Sequence, residues 1–195
     1  ADIKVRNVIT AEADWGAKLE IIDAIVSGVI DMRRFAGAIQ KGVMEAMREG
    51  PVAGYPSGDV RVVVYDGKMH SVDSNEAAFK TAARNCFRQA FEGANPVMLE
   101  PICDLEVLMP DEYTGDVMSD LNTRRARIQG MEAEGSSQKI VASAPEVELL
   151  RYSTQLRSLT QGRGVHTARF KQYEAMPRNV QEKVAEAAKA KEEES

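Results

Sequence analysis

The sequence predicts an α+β protein of two domains, the second a ferredoxin-like βαββαβ sandwich. Three observations carry this. The chain has 195 residues, 44% of them apolar, enough for two compact cores. Its apolar residues recur at two different spacings, every second position in some stretches and every third or fourth in others, as strands and helices require. From Cys103 to Tyr173 these patterns follow one another in the order β-α-β-β-α-β, the split βαβ arrangement.

Taken in order, residues 2–10 ("DIKVRNVIT") and 17–26 ("AKLEIIDAIV") are rich in Val and Ile. They read as an antiparallel pair of strands around the turn-like "AEADWG". From Asp31 the spacing changes: Phe35, Ile39, Val43 and Met47 recur every fourth residue between charged positions, an amphipathic helix stopped at "EGP". The Gly/Pro-rich "GPVAGYPSGD" is a loop, and Val60–Tyr65 is a strand. Asp73 or Ser74 is expected to cap a second helix, which puts Phe79, Ala83, Cys86, Phe87, Ala90 and Phe91 on one stripe before Asn95-Pro96.

In the second half, Cys103, Leu105, Val107 and Met109 alternate with acids as a half-buried strand. Thr114 or Asp116 then caps a helix running to about Arg125. "ARIQGMEAEG" and "QKIVASA" form a hairpin around Gly135-Ser136, Pro145 opens a helix through Gln161, and "GVHTARFKQY" is the last strand. An Ala/Glu/Lys helix starts near Arg178 and ends in the acidic "KEEES".

Several kinds of chemistry lack their residues. The net charge of −5 argues against coating nucleic acid by bulk positive charge. Cys86 and Cys103 are far apart, with no CxxC or Cys/His cluster, so neither a disulfide framework nor a metal site is expected, and a reducing cytoplasm fits best. There is no GxxxxGK[ST] phosphate cradle, so the chain itself is not expected to hydrolyse GTP or ATP. His70 and His166 fall in different expected domains and neither lies in a G-x-S-x-G elbow, so no catalytic residue is assigned. Neither a secretory leader nor an apolar run of about 18 residues is present, so a soluble, unexported protein is expected.

The positive signal is local. Between Arg151 and Arg178 six basic residues (Arg151, Arg157, Arg163, Arg169, Lys171, Arg178) face one acid, Glu174. The segment "VELLRYSTQLRSLTQGR" turns Leu149, Leu156 and Leu159 toward a core and leaves Arg157 and Arg163 able to reach a polyanion, with Arg124 and Arg125 ending the other helix. Folded RNA is recognised by shape through such phosphate contacts. The competing reading is a plain solvated helix face, the usual fate of a charge run.

Five stretches make the reading specific: "GPVAGYP" (50–56), "HSVDSNEAAFK" (70–80), "PVMLEPICDLEVLMPDEYTGDVMSDLNTRR" (96–125), "GMEAE" (130–134) and "YSTQLRSLTQGR" (152–163). In order and spacing they resemble the C-terminal third of bacterial translation elongation factor G, or of a paralogue of it. The resemblance implies that residues 1–97 are its domain IV, a ribosomal protein S5 domain 2-like fold with a left-handed crossover, truncated at its N-terminus. Residues 98–178 would be the ferredoxin-like domain V, and 179–195 a C-terminal helix and acidic tail.

It further implies a ribosome-binding piece of a GTPase that promotes translocation of tRNA and mRNA. GTP and Mg would sit in a missing N-terminal domain of the parent, with no cofactor in these residues. Partners would be rRNA of both subunits, ribosomal proteins, and tRNA and mRNA at the decoding centre, met by a cytoplasmic monomer. The residues carried over are Lys68, His70, Ser71, Asp73 and Ser74 as decoding-centre contacts, and Arg124, Arg125, Gln155, Arg157, Ser158 and Arg163 as rRNA contacts. On composition alone His70 is an exposed hairpin histidine; on the resemblance it is a contact and not a catalyst. Three departures leave a paralogue for ribosome recycling or protection open: "PEVELLRY" has Arg151 where the family usually has glycine, Ala126 stands where a glycine often follows the arginines, and "RGVHTARF" differs from the commoner small-residue version. A stand-alone RNA-binding or protein-interaction module is the reading from outside translation factors.

Overall fold

The computed structural model describes residues 5–26, 29–50 and 53–193. The start of the first expected strand (1–4), positions 27–28, positions 51–52 of the expected loop and the last two positions of the expected tail lie outside them. The chain divides into two compact units, one of residues up to Pro96 together with those from Glu182, the other Val97–Gln181.

The first unit contains strands β1 (Asn7–Glu12), β2 (Lys18–Asp23) and β3 (Val60–Val64) and helices α1 (Met32–Glu49) and α2 (Glu76–Gly93). β2 is central, antiparallel to β1 and parallel to β3. Alternation in β2 turns Leu19 and Ile21 inward, where Ile39, Val43 and Met47 of α1 bury against them; Phe35, the first of that four-residue stripe, is fully buried as well. Asp31 caps α1 by accepting the Arg34 N–H, and Gly50 ends it at φ 64. The two helices approach closely at Gly42, where a Cβ would lie 2.1 Å from the Lys80 carbonyl oxygen, and Phe35 stacks on Phe79 at 4.1 Å.

The stripe expected on α2 is narrower than its spacing suggested. Phe87 is buried and Phe79, Ala83 and Phe91 partly so, but Cys86 and Ala90 are exposed. α2 makes its main contact with α1 along one seam, which Lys80–Glu45 and Arg84–Glu49 ion pairs flank.

The second unit runs β4 (Leu99–Pro110), α3 (Thr114–Thr123), β5 (Arg127–Glu134), β6 (Ser137–Pro145), α4 (Tyr152–Leu159), β7 (Val165–Ala175), and α5 (Arg178–Glu193) begins at its end. The strand order is β5-β6-β4-β7 with every neighbouring pair antiparallel, the ferredoxin-like sandwich the pattern predicted. Leu105, Val107 and Met109 of β4 meet Ile140 and Ala142 of β6, Val117 and Leu121 of α3, and Tyr152 and Leu156 of α4 in one core.

Three boundaries differ from expectation. β4 begins at Leu99, four residues before the strand expected from Cys103, so Pro101 sits inside it. α3 follows a 3-10 turn at Asp111–Tyr113 with no side-chain cap, and Thr114 has its hydroxyl buried without a partner. Pro145 closes β6 and does not open a helix: a 3-10 turn (Glu146–Leu149) follows, and Arg151 reverses the backbone at φ 59 before α4 starts.

Candidate nucleic-acid interfaces

The first surface is the loop between β3 and α2. Beyond β3 the Asp66 carboxylate accepts the Gly67 N–H at 2.7 Å. Gly67 passes so close to Ile30 that a Cβ there would lie 2.2 Å from its Cδ1, so a larger residue would have to push that side chain aside. The loop then closes on itself: the His70 N–H donates to Ser74 Oγ at 2.8 Å, and the Ser74 N–H donates to the His70 carbonyl at 3.2 Å. Ser74 is therefore a loop clasp and not a helix cap. The cap is Asn75, extended at φ −132, whose Oδ1 accepts the Ala78 N–H at 2.8 Å.

The clasp presents Lys68, His70, Ser71 and Asp73 to solvent, with Ser74 half-buried. It brings with them three apolar side chains the sequence reading did not single out: Tyr65, Met69 and Val72, the last 87% exposed. Their signal was available, because they are apolar residues between Asp, Gly, Lys, His and Ser that follow neither the period of β3 nor that of α2. A histidine with amphipathic neighbours on a braced loop can stack and hydrogen-bond. Among the described residues no three His, Cys, Asp or Glu side chains converge as a metal site would require.

The second surface is the outer face of α4 and the turn after it. Gln155, Arg157 and Ser158 are exposed, and their side chains make no hydrogen bond or ion pair with any described residue. The turn is built by Thr160, fully buried, whose hydroxyl donates to the Leu156 carbonyl at 2.7 Å and accepts the Gly164 N–H at 2.7 Å. A Cβ on Gly164 would lie 2.7 Å from that hydroxyl, so glycine is required there. Arg163 is exposed but already engaged. It donates to Glu112 at 2.5 Å and to the Tyr113 hydroxyl, lies over the Tyr113 ring at 4.8 Å from its centroid, and those bonds raise its pKa.

Arg124 and Arg125, expected among the rRNA contacts, are half-buried and engaged within the unit. Arg124 pairs with Asp120 at 2.8 Å, donates to the Glu148 carbonyl at 2.6 Å and covers the Tyr152 ring. Arg125 grips both oxygens of buried Glu100 at 2.8 and 2.9 Å and Glu148 at 2.9 Å. Glu100 and Glu148 come from strand β4 and the 3-10 turn, 23 to 25 residues away, so both arginines tie the end of α3 to the unit. Lys171 is likewise answered by Asp104 at 2.7 Å. Tyr152 is pushed above the usual phenol range chiefly by burial, and His166, edge-on to it at 4.9 Å, is held below the usual imidazole value by burial.

These surfaces sit on modules that match known families. Residues 5–95 match the model of elongation factor G, domain IV, and residues 97–184 that of the elongation factor G C-terminus. An elongation factor G-like protein of Thermotoga maritima is 46% identical over 172 residues, 88% of this chain and 25% of that protein. A solved crystal structure of a protein from Thermus thermophilus superposes with a TM-score of 0.74 at 34% identity, over 94% of this chain and 30% of that one. The chain thus spans about a quarter of the curated relative's length. With both modules matched in sequence order across residues 5–184, the chain belongs to the elongation factor G family and carries its domain IV followed by its C-terminal domain.

Proposed function

We propose that this chain is the ribosome-binding part of a translational GTPase that promotes movement of tRNA and mRNA. The observation that carries the proposal is the ordered match of both elongation factor G modules over residues 5–184. The surfaces support a division of labour. The clasped loop that His70 and Ser74 close is a compact probe suited to the decoding centre, beside tRNA and mRNA. The uncommitted polar residues of α4, Gln155, Arg157 and Ser158, suit the backbone of large-subunit RNA, where phosphate contacts position and shape is read. GTP and its Mg²⁺ belong, on this proposal, to a domain outside these residues, and the chain alone is not an enzyme.

The test is His70→Ala in the full-length parent. Movement of tRNA, followed by rapid kinetics, should slow about tenfold, the equivalent of ~1.4 kcal/mol of lost transition-state contact. Ribosome-stimulated GTP hydrolysis should be nearly unchanged. Loss of GTP turnover, or undiminished tRNA movement, would refute the assignment. A second reading, a paralogue for ribosome recycling or protection, is favoured by Arg151, which departs from the family's glycine; a parent that splits ribosomes but does not move tRNA would establish it.

A further inference from the structure

Among the described residues five non-glycine positions have positive φ: Asp59, Asn95, Arg125, Arg151 and Gln161. Asp and Asn tolerate this region, whereas a long side chain there is disfavoured and calls for a reason. For Arg125 the reason is inside the chain, since its guanidinium holds Glu100 and Glu148. Arg151, at φ 59 and ψ 15, is the opposite case. Its side chain is exposed, makes no capping bond and joins no described residue by hydrogen bond or ion pair. What the fold uses of it is backbone: its carbonyl accepts the Thr154 and Gln155 N–H groups at 3.1 and 3.4 Å, closing the first turn of α4. Glycine would supply that turn with less strain.

The surroundings identify the ligand chemistry. From Leu149 to Arg163 there are three arginines and no acid; Arg163 is answered by Glu112 from outside the segment, while Arg151 and Arg157 have no described partner. Arg151 stands one turn before exposed Gln155 and, at the helical rise, about 9 Å along the axis from Arg157. A planar guanidinium free to use its whole fork matches a phosphodiester oxygen pair, and an acid-free helix face is complementary to a polyanion. We infer that Arg151 is an RNA phosphate contact that extends the α4 face toward its N-terminus, retained despite the backbone strain it causes. The inference rests on the proposal that this face docks on ribosomal RNA.

The experiment uses the full 195-residue chain, fluorescently labelled, and purified bacterial 70S ribosomes, with affinity measured between about 50 and 200 mM salt. Three variants accompany it: Arg151→Gly, Arg151→Lys and, as control for the face itself, Arg157→Ala. Arg151→Gly should melt at a higher temperature than the parent yet bind more weakly, with the log–log salt slope lower by about one. Over that fourfold salt range the parent should then lose about three- to fourfold more affinity than the variant. Arg151→Lys should keep the slope and lose part of the affinity, because a point charge replaces the fork. Unchanged binding by Arg151→Gly, or weaker binding with an unaltered slope, overturns the inference; if Arg157→Ala still lowers the slope, the RNA-docking reading stands without it. If neither variant changes binding, or the chain does not bind ribosomes, both fall together.

Discussion

Removing Arg125 should damage the fold of the second unit and not its surface. Glu100 is 5% exposed, and both its oxygens accept from Arg125 at 2.8 and 2.9 Å. It is registered opposite Glu174 of β7, whose charge is answered by Arg127 at 3.2 Å. Arg125→Ala would leave a buried carboxylate unpaired beside a second one, a situation that costs about 3–5 kcal/mol. Relief comes from the 170 Å³ cavity lined by Glu100, Arg127, Ser143 and Glu174, which can admit water, so the lower end, about 3 kcal/mol, is expected. Alanine at φ 58 is disfavoured much as arginine is, so the backbone contribution cancels. For a domain of this size the loss lowers Tm by roughly 12–24 °C.

Urea or thermal unfolding followed by far-UV circular dichroism measures the loss. Trp15, the single tryptophan, lies in the first unit and should report an unshifted transition there. Glu100→Met on the Arg125→Ala background should recover most of the stability, since an apolar replacement of a buried pair is close to neutral. A destabilisation below about 1 kcal/mol, the level of an exposed pair, together with a lower salt slope for ribosome binding, would refute the internal role and return Arg125 to the RNA-contacting set.

Two further outcomes follow from burial. Cys86 is exposed and Cys103 buried, with its thiol pushed up by burial first and by Glu146 and Asp104 after it, so a thiol reagent should modify one cysteine in the native chain and the second only on unfolding; fast reaction of both would contradict the β4 register. His166 is held below its ordinary value of 6.5 by burial, so between its folded and unfolded values the unfolded chain binds more protons. The stability of the second unit should therefore be complete above about pH 6.5, fall as pH drops through that window, and fall less in His166→Gln, all measurable by denaturant titration across pH.

What could be read from the sequence divides by the range of the interaction responsible. Strands whose alternation is strict, such as Cys103–Met109, and the four-residue stripe of α1 were legible because one face of each is buried throughout. The cap expected at Asp73 or Ser74 is Asn75, since successive residues of this kind can each cap a helix and the Ser74–His70 clasp, which local sequence does not show, takes Ser74 out of that role. The helix expected from Pro145 was read through the break at Arg151 because a glycine would have marked a left-handed residue and an arginine conceals it.

The site was legible in the same uneven way. Counting cations between two helices overstated the open basic face, because the acids that answer them arrive from elsewhere in the fold: Glu100 and Glu148 for Arg125, Glu112 for Arg163, Asp104 for Lys171. A local count sees charge but not partners, and each pairing removes an arginine from the pool that can exchange counterions with RNA. Arg151, Arg157, Arg169 and Arg178 remain exposed with no described partner, and of these Arg151 alone has a strained backbone. The salt dependence of binding should therefore follow these four residues more closely than the paired Arg163 and Lys171. A slope that drops as far for Lys171→Ala as for Arg157→Ala would show that the Asp104 pair opens on binding, and would restore the local count as the better guide.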